Sequence, residues 1–386
     1  MGKILKFGGA LLAIALIAGA VFVFKILPVR ADAKMNKVIG ADIVVTADAA
    51  ALHETLRVAD LHADTLLWKR NPAKRHSRGQ TDLPRFRDGG FALQVFTAVT
   101  KSPKGQNYEE NTGGSDNITL LAFAQLWPMK TWGSLLERAL YQSERLEQLE
   151  EDAGGDFQFV RTRSDLENAL ATDKLAGIMG AEGAHPLEGE IGNVDVMFDA
   201  GYRVLGLQHF FDNELGGSLH GVSGDGLTEF GRAAVMRAIA MGMAIDVAHS
   251  SEAVVRDVLA MIDAPLIVSH TGLNGHCDSP RNISDETMKA IADAGGLIGV
   301  GFWDGAVCEP TPTSIAKAIA YAVELLGVEH VALGSDFDGS VHTPFDAAGI
   351  SMLTQSLIDE GLDADTIRAV MGENAIAFFL ENLPDE

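Results

Sequence analysis

Val58-Ala59-Asp60-Leu61-His62-Ala63-Asp64 is the stretch on which the fold turns. A short apolar, β-prone run passes straight into a histidine and an aspartate. An open doubly wound sheet would carry a glycine-rich phosphate turn after its first strand. His62-Ala63-Asp64 stands there instead. The later run 295–301 does hold several glycines, but inside a strand, and reads as close packing in a barrel rather than as a nucleotide loop. Outward from this stretch, strands are expected at 58–62, 91–99, 176–180, 203–208, 243–248, 266–269, 297–302 and 331–334. Most are near-continuous apolar runs, the pattern of parallel strands covered on both faces. Helices are expected between them at 228–241, 251–261, 284–294 and 313–326, with Ser251 and Ser284 as capped starts. Eight such units predict an α/β chain folded as a (β/α)8 TIM barrel with insertions. One insertion, 101–116, is rich in Gly, Asn, Ser and charge and is expected to be a surface loop. Residues 117–151 then read as helix, interrupted near Pro128.

The amino terminus is a separate object. Lys3 and Lys6 precede an uncharged apolar run, 7–24, closed by Lys25. As a helix this run spans about 27 Å, just enough to cross a bilayer and longer than a usual signal-peptide core. The expected organisation is therefore 1–33 as membrane anchor or signal segment, 34–56 as linker and 57–386 as barrel, with the barrel exported. An uncleaved transmembrane helix is favoured. The alternative is cleavage at Ala31-Asp32-Ala33, which has the small-x-small pattern, giving a soluble secreted protein.

Composition narrows the partners. Of 386 residues, 47% are apolar, too many for a disordered chain. Lys and Arg number 30 against 53 Asp and Glu, a net charge of −23 with no basic cluster, which argues against a nucleic-acid partner. Two cysteines, Cys277 and Cys308, exclude a disulfide-dense scaffold and a Cys-rich zinc finger.

The positions of the polar residues carry the chemistry. The expected strands end in His62 and Asp64, Glu182, His209, His249, His270, and Asp336 with Asp338. In a barrel these ends share one face, where barrel enzymes build their sites. Each residue alone has a plain structural reading: a rim histidine, a helix cap at Glu182, turn formers at Asp336 and Asp338. Gathered on one rim, four imidazoles and three carboxylates are costly unless they bind cations or move protons. Histidine with carboxylate suits zinc or another borderline divalent ion, and a carboxylate such as Glu182 can bridge two ions.

These residues resemble the membrane (renal-type) dipeptidases, a branch of the metal-dependent amidohydrolase-like barrels. The resemblance covers about residues 57–380. It rests on Asp60-Leu61-His62-Ala63-Asp64, Thr81-Asp82-Leu83-Pro84-Arg85, Glu182-Gly183, 226–231, 246–250, Ser269-His270, Arg281-Asn282 and 334–339. It implies that His62 and Asp64 bind one zinc ion, His249 and His270 a second, and that Glu182 bridges them. His209 would polarise the scissile carbonyl, Arg281 would bind the substrate's terminal carboxylate, and Asp336 would carry the proton from attacking water to leaving amine. Cys277 and Cys308 would form a disulfide. The implied enzyme is a zinc metallopeptidase that hydrolyses dipeptides through a metal-bridging hydroxide and tolerates a C-terminal D-residue. Dimerisation is expected on the resemblance alone. The sequence departs from familiar members at Ala63, and at 210–217, which leaves side-chain preference open. The competing expectations are another metal-dependent amidohydrolase, a deacylase or lactonase, and a non-catalytic envelope scaffold.

Overall fold

The structure, a computed structural model, describes residues 2–385. Met1 and Glu386, the outer ends of the expected segments, and the side chains of Lys3 and Lys6 lie outside the described residues. Nine parallel strands occur among them: β1 (Val58–Ala63), β2 (Phe91–Val99), β3 (Phe157–Val160), β4 (Leu175–Glu182), β5 (Tyr202–Gly206), β6 (Ala244–Asp246), β7 (Ile267–Thr271), β8 (Leu297–Val300) and β9 (Val331–Leu333). Their order is β2-β1-β9-β8-β7-β6-β5-β4-β3, and β2 also pairs with β4. That pairing, from Leu93 opposite Ala176 to Val99 opposite Glu182, closes an eight-stranded barrel and leaves β3 outside it.

β3 is the strand that the sequence pattern does not announce. It pairs with the first half of β4, from Phe157 opposite Leu175 to Val160 opposite Ile178. β5 takes over from Met179 onward. Phe157 packs edge-on against Phe96, so this short strand buries two aromatic rings, Phe157 and Phe159, beneath the helix layer.

Alternation within β1 does two jobs. Ala59 and Leu61 join an apolar cluster with Ile376 and Phe379 of the carboxy-terminal helix (Asn374–Asn382). Asp60 and His62 share the opposite face. There Asp60 accepts from the Ser335 amide (2.6 Å), the Ser335 hydroxyl (2.8 Å) and Gln94 (2.8 Å). These bonds tie the start of the β9 loop to β1 at the seam of the barrel. The expected helices start where their caps put them: Thr228, Ser251, Ser284 and Thr311 each accept from the amide three residues on. Residues 101–116 form neither helix nor strand, and the chain then breaks at Pro128 between helices Asn117–Gln125 and Leu135–Asp152.

The amino-terminal helix runs from Gly2 to Met35 with a wider turn at Phe22–Ile26. The expected boundary at residue 33 falls inside it. Residues Ala10–Met35 are long and apolar enough to cross a membrane. From the end of the apolar run the helix lies on the barrel: Phe24 packs edge-on against Phe123, 5.3 Å between centroids. Asp32 is buried, 3.1 Å from Arg70 Nε and 2.8 Å from Arg78 Nε. Arg70 reaches on to Asp338 Oδ2 at 2.6 Å.

Candidate metal centre and substrate pocket

All eight expected strand-end residues are buried; seven converge on one point, and Asp338 turns aside to Gln80, Thr81 and Arg70. Glu182, the last residue of β4, is its centre. Its Oε1 lies 3.2 Å from His249 Nε2, 3.3 Å from His209 Nε2, 3.4 Å from His270 Nε2 and 3.7 Å from His62 Nε2. His62 Nε2 is also 3.6 Å from Asp64 and 3.9 Å from Asp336. Three triads have ligand atoms close enough to hold one ion: His62 with Glu182 and His270, Glu182 with His209 and His249, and His62 with Asp64 and Asp336. His209 thus stands as close to Glu182 as the expected ligands do.

The backbone makes this crowding feasible. Gly183 follows Glu182 at φ +84°, and a Cβ there would sit 2.9 Å from the His185 ring and 3.1 Å from His209 Cβ. Asp336 itself has φ 57°, a left-handed turn that carries its carboxylate toward His62. The candidate ligands are braced from behind. Thr97 donates to Asp64 (2.7 Å), and the Ser269 hydroxyl lies 2.9 Å from His270 Nδ1 and 3.3 Å from His62 Nδ1. Asp246 accepts from the amides of Ala248 (3.0 Å) and Ser269 (2.9 Å), which pins the ends of β6 and β7 together. Such outer partners orient imidazoles toward a metal.

The electrostatics fit a missing positive charge. Burial, then the Asp64 carboxylate, pushes Glu182 well above the ordinary carboxylate range. Burial and Asp64 do the same to Asp336. Burial opposes charge on His62, yet the carboxylates of Asp64 and Glu182 prevail and lift it to about 9. Burial first, with Arg281 next, holds His249 neutral; His270 is held neutral by burial and then by His62. The cluster therefore holds His249 and His270 neutral, while His62, Glu182 and Asp336 take up positive charge in the form of protons, the charge a bound cation would supply. His62 Nε2 is buried with no hydrogen-bond partner, and the Nε2 atoms of His249 and His270 sit 3.0 Å apart. This donor set suits borderline divalent ions.

Arg281 is buried, and burial depresses its pKa. Its guanidinium donates to the carbonyls of His270 (2.8 Å) and Ala248 (3.2 Å), and no carboxylate pairs with it among the described residues. It borders the pocket with His209, Asp336 and Glu182. Asn282 supports its loop, donating to the carbonyls of Cys277 (2.8 Å) and Ala306 (2.9 Å). Cys277 and Cys308 form a disulfide there.

Phe210 lies in the 210–217 stretch expected to border the side-chain pocket, but sequence reasoning missed the rest of the wall. Tyr108, in the expected surface loop, turns inward, and its hydroxyl accepts from Trp303 Nε1 at 2.9 Å. Phe210 and Trp303 line the same cavity of about 400 Å³. No local pattern marks Tyr108; only an aromatic in an otherwise polar loop hinted at it.

The fold and site define a barrel metallohydrolase. Residues 46–381 match the membrane dipeptidase family (peptidase family M19), and the chain belongs to that family. It is a metallo-dipeptidase by family. The chain is 26% identical over 327 residues to dipeptidase ataJ of Aspergillus terreus, covering 77% of this chain and 75% of that one. A protein of Klebsiella pneumoniae encoded 5′ of pqqA and otherwise uncharacterised is 32% identical over 245 residues, 59% of this chain and 90% of that one. Among solved structures, a metallopeptidase of Rhodobacter sphaeroides bound to a phosphinate mimic of the dipeptide L-Ala-D-Ala superposes with a TM-score of 0.71. It is 25% identical and covers 85% of this chain and 99% of its own.

Proposed function

We propose that this chain is an exported, membrane-anchored dizinc dipeptidase that accepts dipeptides with a C-terminal D-residue. The observation that carries the reading is Glu182 Oε1 standing within 3.7 Å of four imidazole nitrogens, beside a buried arginine with no carboxylate partner among the described residues. His62 and Asp64 would hold one ion, His249 and His270 the other, with Glu182 between them. Two divalent cations, when bound, supply an acidified water and positive charge near the reacting carbonyl. His209, kept neutral by burial with its pKa lowered to about 4, donates to the carbonyl oxygen as negative charge grows there. Asp336 takes the water's proton and returns it to the departing amine. Arg281 grips the terminal carboxylate with a forked pair of hydrogen bonds. That grip sets the length of substrate whose scissile bond reaches the metals. The structural relative's L-Ala-D-Ala mimic supports the D-residue.

The buried Asp32 supports retention of the leader. Cleavage after Ala33 would strip Arg70 and Arg78 of a buried counter-charge.

The test is hydrolysis of a panel of L,L and L,D dipeptides by the full-length protein, with and without chelator, beside His249→Ala. Metal-dependent turnover lost in the variant is expected. Activity unaffected by both treatments overturns the dizinc reading, and turnover of L,L substrates only removes the D-residue.

A further inference from the structure

The pocket opens against the amino-terminal helix. Leu27, Ala31 and Met35 of that helix line the pocket together with Leu120, Leu121 and Ala124. The uncharged run ends at Phe24, immediately before Lys25. At about 1.5 Å of rise per residue, Leu27 to Met35 lie roughly 5–17 Å further along the axis. If Phe24 marks the bilayer boundary, the mouth stands at about that height above it.

The barrel's own surface marks the same boundary. Phe123 sits edge-on to Phe24 and, on its other side, to Trp132, each at 5.3 Å. Beyond it Leu126 is 54% and Met129 76% exposed, and Phe123 is 41% exposed. Leu126 occupies the left-handed position that ends helix Asn117–Gln125, with φ 62°. Glycine or asparagine normally stands at such a position. A bulky leucine there pays strain and exposure together, which water does not reward. Lys69 donates to the Phe24 carbonyl at 3.2 Å, placing an ammonium beside Lys25 at the level of lipid headgroups. An apolar wedge backed by a half-buried tryptophan and flanked by lysines is the composition of a membrane interface.

We propose that Phe123, Leu126 and Met129 enter the outer face of the lipid bilayer beside the amino-terminal helix. The barrel then rests with its active-site mouth turned toward the membrane, and substrate arrives along the lipid surface. This rests on the anchored reading above, and the test separates the two. The chain's two cysteines are disulfide-bonded, so single cysteines label cleanly. Leu126→Cys and Met129→Cys, with Met236→Cys on an exposed helix face remote in sequence as control, are labelled with a polarity-sensitive fluorophore. The full-length proteins are placed in vesicles whose lipids carry a shallow nitroxide. Labels at 126 and 129 are expected to lose about half their fluorescence and the label at 236 almost none, since interfacial side chains sit roughly 5–10 Å into the boundary. Dipeptide turnover is expected to persist in all three. If the proteins float with the vesicles while 126 and 129 are quenched no more than 236, the wedge is refuted and the anchor stands. If they do not float with the vesicles, the anchor fails and the wedge with it.

Discussion

Replacing Arg281 with alanine should remove the enzyme's ability to tell a free carboxylate from a capped one. The guanidinium is buried, held by two carbonyls at 2.8 and 3.2 Å, and lacks an acidic partner among the described residues. A substrate carboxylate docking there completes a desolvated, hydrogen-bonded ion pair. Truncating one member of such a pair costs about 2–5 kcal/mol, of which 3 corresponds to roughly 150-fold. The expected loss in kcat/KM for a free dipeptide is therefore about 30-fold or more, carried mainly by KM. The informative assay compares each dipeptide with its C-terminal amide, in wild type and variant, after melting curves and metal content show that the variant is folded and loaded. Wild type should favour the free acid strongly, and Arg281→Ala should treat both alike. If the variant keeps the wild-type preference for the acid, the carboxylate is bound elsewhere and the reasoning fails.

Other outcomes follow from the same geometry. Asp336→Asn should keep its metal content and KM while kcat falls by about 10²–10⁴, the usual worth of a positioned acid-base; a matching loss of metal would make Asp336 a ligand instead. His185 is buried against Phe211, 4.5 Å between centroids, and burial holds its pKa near 3 in the folded chain. The unfolded chain takes up that proton below about pH 6.5, so stability falls as pH drops from there toward 3. By pH 5 the loss is about 2 kcal/mol, and His185→Phe should melt less steeply with acidification than wild type. Asp32→Ala should cost about 2 kcal/mol, seen as a melting temperature lower by a few degrees, because Arg70 keeps Asp338 but loses its other carboxylate.

The barrel is legible because parallel strands covered on both faces leave continuous apolar runs, and eight of them punctuate the sequence. The gathering of His62, Asp64, Glu182, His209, His249, His270 and Asp336 is legible because strand ends share a face once the barrel closes. What escapes reading depends on contacts far apart in sequence. β3 is four residues whose pairing with β4 has no local signature beyond two phenylalanines. Tyr108 looks like loop until Trp303 receives it, 195 residues on. Asp338 looks like a turn former, yet it is buried and accepts from the Gln80 amide (2.8 Å) and the Thr81 hydroxyl beside Arg70. Ala31-Asp32-Ala33 reads as a small-x-small cleavage pattern, because nothing nearby in sequence shows that Asp32 has two arginines beside it.

Arg70 joins the amino-terminal helix to the loop after β9, with Asp32 on one side and Asp338 on the other. This sets an order of assembly. The helix bearing Asp32 is synthesised 306 residues before Asp338. The loop bearing Asp336 therefore cannot settle against Arg70 until the chain has been made past that loop. Closure of the β1–β9 seam falls at the same moment, since both need residues beyond 330. Contacts this distant in sequence form slowly. The candidate site is thus completed only after the amino-terminal helix and the first eight strands have been made, and a chain cut short before β9 lacks Asp336.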